Sequence, residues 1–150
     1  MTDPATRHET TFGLRYRVAG HLAAPPSTVW AALTDADAFP TWNRTVSRLQ
    51  GPIAAGQRLA IEVPAAPGRT FRPRVVELEA PRHMVWRDGF APMFRGTRTF
   101  TLTPEDGGTK FEMEEVFGGA MLPLIKGSLP DFRPIFDDYL ADLRQHVEGA

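Results

Sequence analysis

The sequence contains no cysteine, which removes disulfides, thiolate nucleophiles and cysteine-ligated metals from consideration. It has two lysines against fifteen arginines and a net charge of −1, so it carries no global attraction for nucleic acid or an anionic membrane. No uninterrupted apolar stretch approaches the ~20 residues that a membrane span needs. The first ten residues, MTDPATRHET, lack the apolar run of a signal peptide. The expectation is a soluble, cytoplasmic protein in which those ten residues form a polar tail. Histidines 8, 21, 83 and 146 are far apart and none has an i, i+4 partner, so no metal site is expected. Dinucleotide, phosphate-loop and nucleophile-elbow patterns are missing as well, and no cofactor is expected.

What is present fits one domain of 150 residues. Phe12, Leu14, Tyr16, Val18 and Leu22 fall at period two and predict a long half-buried strand. Pro25-Pro26 then opens a short amphipathic helix carrying Val29, Trp30 and Leu33, because prolines are tolerated in a first turn. A second short turn is expected over residues 37–42. Leu59, Ile61 and Val63 alternate as a strand. Residues 69–79 and 83–88 form a pair joined at Ala80-Pro81, and residues 94–103 and 109–117 a pair turning through Pro104 to Gly108. Residues 120–127 form a short helix, separate or joined by a bend. Phe132, Phe136, Tyr139, Leu140, Leu143 and Val147 then recur at helical spacing, with Asp131 as N-cap and Pro134 in the first turn. Segregated strands and helices indicate an α+β domain. Charge is uneven: residues 51–100 hold eight arginines and four acids, residues 101–150 ten acids and four bases. Cross-strand pairing accounts for this more simply than an anion site does.

The order and spacing of APPSTVWAALTD, FPTWNRTV, FRPRVVELEAPRHMVWRDGF, FRGTRTFTLTP and GTKFEMEEVFGG, followed by the terminal amphipathic helix, carry a resemblance. The chain resembles the START-like, polyketide cyclase/dehydrase and lipid-transport superfamily (SRPBCC). The resemblance implies a helix-grip fold, with a curved antiparallel sheet of about six or seven strands around a C-terminal helix and a hydrophobic cavity between them. The activities of such proteins range from polyketide cyclisation to lipid carriage and chaperone activation, so no single chemistry follows.

Strand parity assigns the inner face. Phe71 and Val75 fall with Met84, Trp86 and Phe90, followed by Phe94 at the next loop. Phe100, Phe111, Met113 and Phe117 share a face on the last hairpin. Phe132, Phe136 and Tyr139 face them from the helix. The threonines at 97, 99, 101 and 103 make a polar outer row, so Arg98 points inward, as does Glu115 opposite it. Glu115 is the candidate acid or base, with Arg98 or Tyr139 orienting a carbonyl or phenol; the alternative is a pair that only neutralises itself. The expected partner is a hydrophobic small molecule, with the protein a monomer or homodimer. A cyclase or dehydratase working in the same cavity and a chaperone-activator-like interaction module are the alternatives.

Overall fold

The structure, a computed structural model, describes residues 2–149. In chain order it comprises β1 (Thr2–Thr10), β2 (Gly13–Leu22), α1 (Pro26–Thr34), α2 (Phe39–Trp42), β3 (Arg48–Gln50), β4 (Ala60–Glu62), β5 (Arg74–Glu79), β6 (His83–Phe90), β7 (Phe94–Glu105), β8 (Gly108–Gly118), α3 (Leu122–Ile125) and α4 (Arg133–Glu148). A 3-10 turn, Lys126–Ser128, links α3 towards α4. Six strands form one antiparallel sheet in the order β1-β2-β8-β7-β6-β5, and β3 pairs with β4 separately. This is the α+β, helix-grip arrangement.

The hairpin β7–β8 sets the centre of the sheet. Its two-residue tip is Asp106-Gly107, both with positive φ, the geometry that matches the strands' own twist. The tip fixes the register, pairing Leu102 with Phe111, Phe100 with Met113 and Arg98 with Glu115. Helix α4 buries Phe136, Tyr139, Leu140 and Leu143 against this sheet, and its backbone runs closest to β2 and β1. Pro134 lies in its first turn. Asp131 acts as a cap, its carboxylate accepting the Arg133 amide N–H at 3.0 Å, although the near-helical Phe132 intervenes. The α2–α4 junction is tied by Arg44. Its guanidinium and amide N–H together chelate the buried Asp142 carboxylate at 2.8–3.1 Å.

Three expectations are corrected. Residues 2–10 are not a tail but β1, paired with β2 from Thr2↔Gly20 to Thr10↔Gly13 and tethered to α4 by the Ala5 N–H, which donates to Asp137 Oδ1 at 2.8 Å. The strand has no large apolar side chain and an irregularity between Asp3 and Thr6, so it lacks apolar alternation. Phe71 does not lie on the main sheet. The chain joins β5 only after Pro73, which has no N–H for the ladder, and Phe71 before it bridges Ile61 instead. Phe90 is 69% exposed, at the end of β6 one residue past Gly89, whose φ is 81°.

Candidate functional site

Register places one rung of side chains across the whole concave face. Val75 pairs with Trp86, Trp86 with Arg98, Arg98 with Glu115, Glu115 with Tyr16, and Tyr16 with Arg7. Paired residues of antiparallel strands share a face, so this rung faces α4 as a unit. Apart from Asp88, the face above and below it is apolar. Phe100, Phe111, Met113 and Met84 are fully buried on one side, while Phe94 and Phe117 are half-buried on the other.

Polar contacts run along the rung. Arg98 Nε donates to Glu115 Oε1 at 2.7 Å, and Arg7 Nε donates to the Tyr16 hydroxyl at 3.1 Å. The Arg98 guanidinium lies 5.3 Å from the Phe136 ring centre and 6.0 Å from that of Tyr139, both on α4. Tyr16 packs edge-on to Phe132 at 5.3 Å. Phe111 stacks on Tyr139 at 6.3 Å, Trp86 sits edge-on to Phe100 at 5.0 Å, and Phe117 meets Phe132 at 5.5 Å. The rings thus meet one another across the space between sheet and helix.

Burial pushes the Glu115 carboxyl above its ordinary value, opposed by the charge and hydrogen bond of Arg98 and reinforced by Asp88. Burial likewise pushes the Tyr139 phenol upward, so it stays protonated at neutral pH. The Tyr139 hydroxyl and Trp86 Nε1 are buried with no hydrogen-bond partner, as are Trp42 Nε1 and Asn43 Nδ2 at the α2 end of the same interior. Trp42 lies 6.2 Å from the Tyr139 ring. Native interiors rarely leave such groups unpaired unless a water or a ligand meets them.

The structure therefore gathers Val75, Trp86, Phe94, Arg98, Phe100, Phe111, Met113, Glu115, Phe132, Phe136 and Tyr139 around one interior, and leaves Phe71 and Phe90 outside it. Three residues join that parity alone did not single out. Tyr16 is the β2 member of the rung. Asp88 and Gly96 form the next cross-strand pair on the same face. A Cβ built on Gly96 would lie 3.3 Å from Glu115 Oε2 and 3.4 Å from the Phe117 ring. The missing side chain leaves the second carboxylate oxygen uncovered. Asp88 and Gly96 obey the alternation that placed Trp86 and Arg98, and Tyr16 the period-two pattern of β2. A shallow cleft bounded by Ala91, Pro92, Arg95, Thr97 and Val116 lies on the outer face and takes no part.

Fold and interior together define a helix-grip domain with a polar rung set in an aromatic core. The chain belongs to the polyketide cyclase / dehydrase and lipid transport family, which it matches over residues 14–148. That family points to hydrophobic-ligand binding or polyketide processing. Among solved structures it is similar to protein MLL2253 from Mesorhizobium loti, with 21% identity and a TM-score of 0.72, over 91% of this chain and 98% of that one. CalU16 from Micromonospora echinospora is 17% identical with a TM-score of 0.66, over 99% and 84% of the two chains. DynU16, described as a protein in the dynemicin biosynthetic locus, is 21% identical with a TM-score of 0.67, over 88% of this chain and 46% of that one. At these identities the likeness establishes the fold. No curated protein matches the sequence. Among the described residues no helix is long and apolar enough to cross a membrane.

Proposed function

We propose that the chain binds a hydrophobic small molecule between the sheet and α4, with the polar end of the ligand at the rung of Trp86, Arg98 and Glu115 beneath Tyr139. One observation carries this reading: Trp86 Nε1 and the Tyr139 hydroxyl are buried without partners beside a charged pair in an otherwise apolar interior. A purely structural core would have a reason to satisfy or omit them, since each unpaired group costs about 1–3 kcal/mol. The half-buried rings of Phe94, Phe117 and Phe132 mark the end at which a ligand enters, by parting Phe132 on α4 from the two sheet residues. Ligand pockets of this kind are mostly apolar with a few placed polar groups. Native mass spectrometry of the purified chain, before and after organic extraction and with a panel of hydrophobic compounds, tests the reading. Co-purified or acquired ligand at one per chain supports it. No uptake of any compound, with the orphan groups found hydrated, overturns it.

A second reading, acid–base chemistry on the bound molecule, is favoured by Glu115, a buried carboxyl held above its ordinary range and left with one uncovered oxygen. Its test is Glu115→Gln, which retains ligand uptake while turnover of a cyclisable or dehydratable substrate is lost. Undiminished turnover removes Glu115 as the acid or base.

A further inference from the structure

The ligand can be narrowed by the inventory of donors and charges along the rung, given the binding reading above, on which this step rests. Trp86 Nε1 donates only, and Arg98 has no acceptor. Arg98 spends its Nε on Glu115, and its terminal amino groups make no hydrogen bond among the described residues. The Tyr139 phenol stays protonated and has a hydrogen to give. The unused capacity on this face is therefore mostly donor capacity, which calls for an acceptor oxygen on the ligand.

An arginine in an apolar pocket would ordinarily recommend a carboxylate, with which it pairs in a bidentate fork. Here that reading meets an obstacle. Arg98 is already held at 2.7 Å by Glu115, and Asp88 stands one rung away on the same face, adding negative charge near Glu115. Gly96 leaves Glu115 Oε2 uncovered towards the end where Phe94 and Phe117 lie. An incoming carboxylate would find Arg98 already paired with Glu115 and Arg7 already paired with Glu9, with Asp88 a further negative charge on the face; like-charge juxtaposition in a low-dielectric site is strongly unfavourable.

We propose that the site selects a neutral acceptor oxygen, a ketone or similar carbonyl on a hydrophobic body, and rejects the corresponding carboxylate, with Glu115 and Asp88 as the residues that enforce the rejection.

The test is isothermal titration calorimetry of the full chain at pH 8 with three probes of one shape: 2-acetylnaphthalene, 2-ethylnaphthalene and 2-naphthoate. The ketone is expected to bind about tenfold or more tightly than either of the others. Glu115→Gln frees Arg98 and should raise naphthoate affinity by about tenfold, narrowing the ratio between ketone and carboxylate. Asp88→Asn, at the half-exposed end of β6, should shift naphthoate affinity in the same direction and serves if Glu115→Gln fails to fold. Naphthoate binding the parent as tightly as the ketone, or unchanged naphthoate binding in every folded variant, overturns the selectivity. Ethylnaphthalene and the ketone binding equally also overturns it, while leaving the hydrophobic binding reading intact. If none of the three is taken up, this inference fails, while the binding reading is decided by the wider panel of compounds.

Discussion

Replacing Arg98 with methionine isolates what the buried pair contributes. Arg98 and Glu115 side chains are 20% and 12% exposed and joined by a 2.7 Å bond, so the substitution leaves a carboxylate inside an apolar face. Breaking such a pair costs about 3–5 kcal/mol where burial is complete. Glu115 has an escape, however, because it can take a proton. From an ordinary value of 4.5, protonation at pH 7 costs about 3.4 kcal/mol, at 1.36 kcal/mol for each pH unit, and at pH 5 only about 0.7 kcal/mol. The loss is therefore capped near 3 kcal/mol at pH 7 and falls below about 1 kcal/mol at pH 5. The sign agrees with linkage. A carboxyl whose folded value is raised contributes most below its unfolded value, and that contribution fades as pH rises through the folded one. Removing Arg98 raises the folded value further and widens that window. Urea unfolding of parent and Arg98→Met at the two pH values gives the numbers. Arg98→Met/Glu115→Leu should recover most of the loss at pH 7. Equal destabilisation at both pH values, or no recovery in the double variant, would refute the argument.

Arg44→Ala should lower the urea midpoint at pH 7, because the buried Asp142 carboxylate loses its guanidinium partner while keeping the backbone N–H at residue 44. Burial alone would raise the Asp142 carboxyl, but the Arg44 bonds outweigh it and hold it below its ordinary value. Their stabilisation is present above about 3.8 and disappears as pH falls through the folded value, so parent and variant should converge in acid unfolding curves. Phe100→Ala, at a fully buried ring touching Trp86 and Tyr139, should cost about 3–5 kcal/mol in urea melts. A loss under about 1 kcal/mol would mean that the interior collapses onto the vacancy. Deleting residues from Asp131 onward should uncover the aromatic face and give an aggregating chain without a cooperative transition. A soluble, cooperatively folding remnant seen by size-exclusion chromatography and thermal melting would contradict that role for α4.

The inner face of β7 and β8 was legible because four threonines alternate with Arg98, Phe100 and Leu102, and a slip of one residue would turn all of them over. The same parity reached Trp86 and its partner Val75. It failed where backbone geometry breaks the alternation. Counting back from Val75 through Pro73 carries Phe71 onto a sheet the chain has not yet joined, and counting forward from Trp86 past Gly89 places Phe90 inward where the strand end leaves it in solvent. Strand β1 gave no signal, since an edge strand only partly covered by α4 can be nearly all polar, and in TDPATRHET the one apolar residue packed against the core is the small Ala5. Asp88 and Gly96 obeyed the rule but are small or polar, and the eye for a hydrophobic site passes over them.

That polar outer strand has a consequence for how the molecule meets its own copies. Strand β2 carries Leu14, Tyr16 and Val18 into the core, and without its neighbour its backbone would offer an open ladder to any passing chain. Residues 2–10 fill that ladder and present instead an edge with Pro4, a broken register and no large apolar side chain, a poor template for a further strand. Purification of forms shortened at the N-terminus should accordingly yield strand-exchanged pairs or fibrillar precipitate, and a fusion partner joined ahead of Thr2 should be given a linker long enough to leave β1 seated.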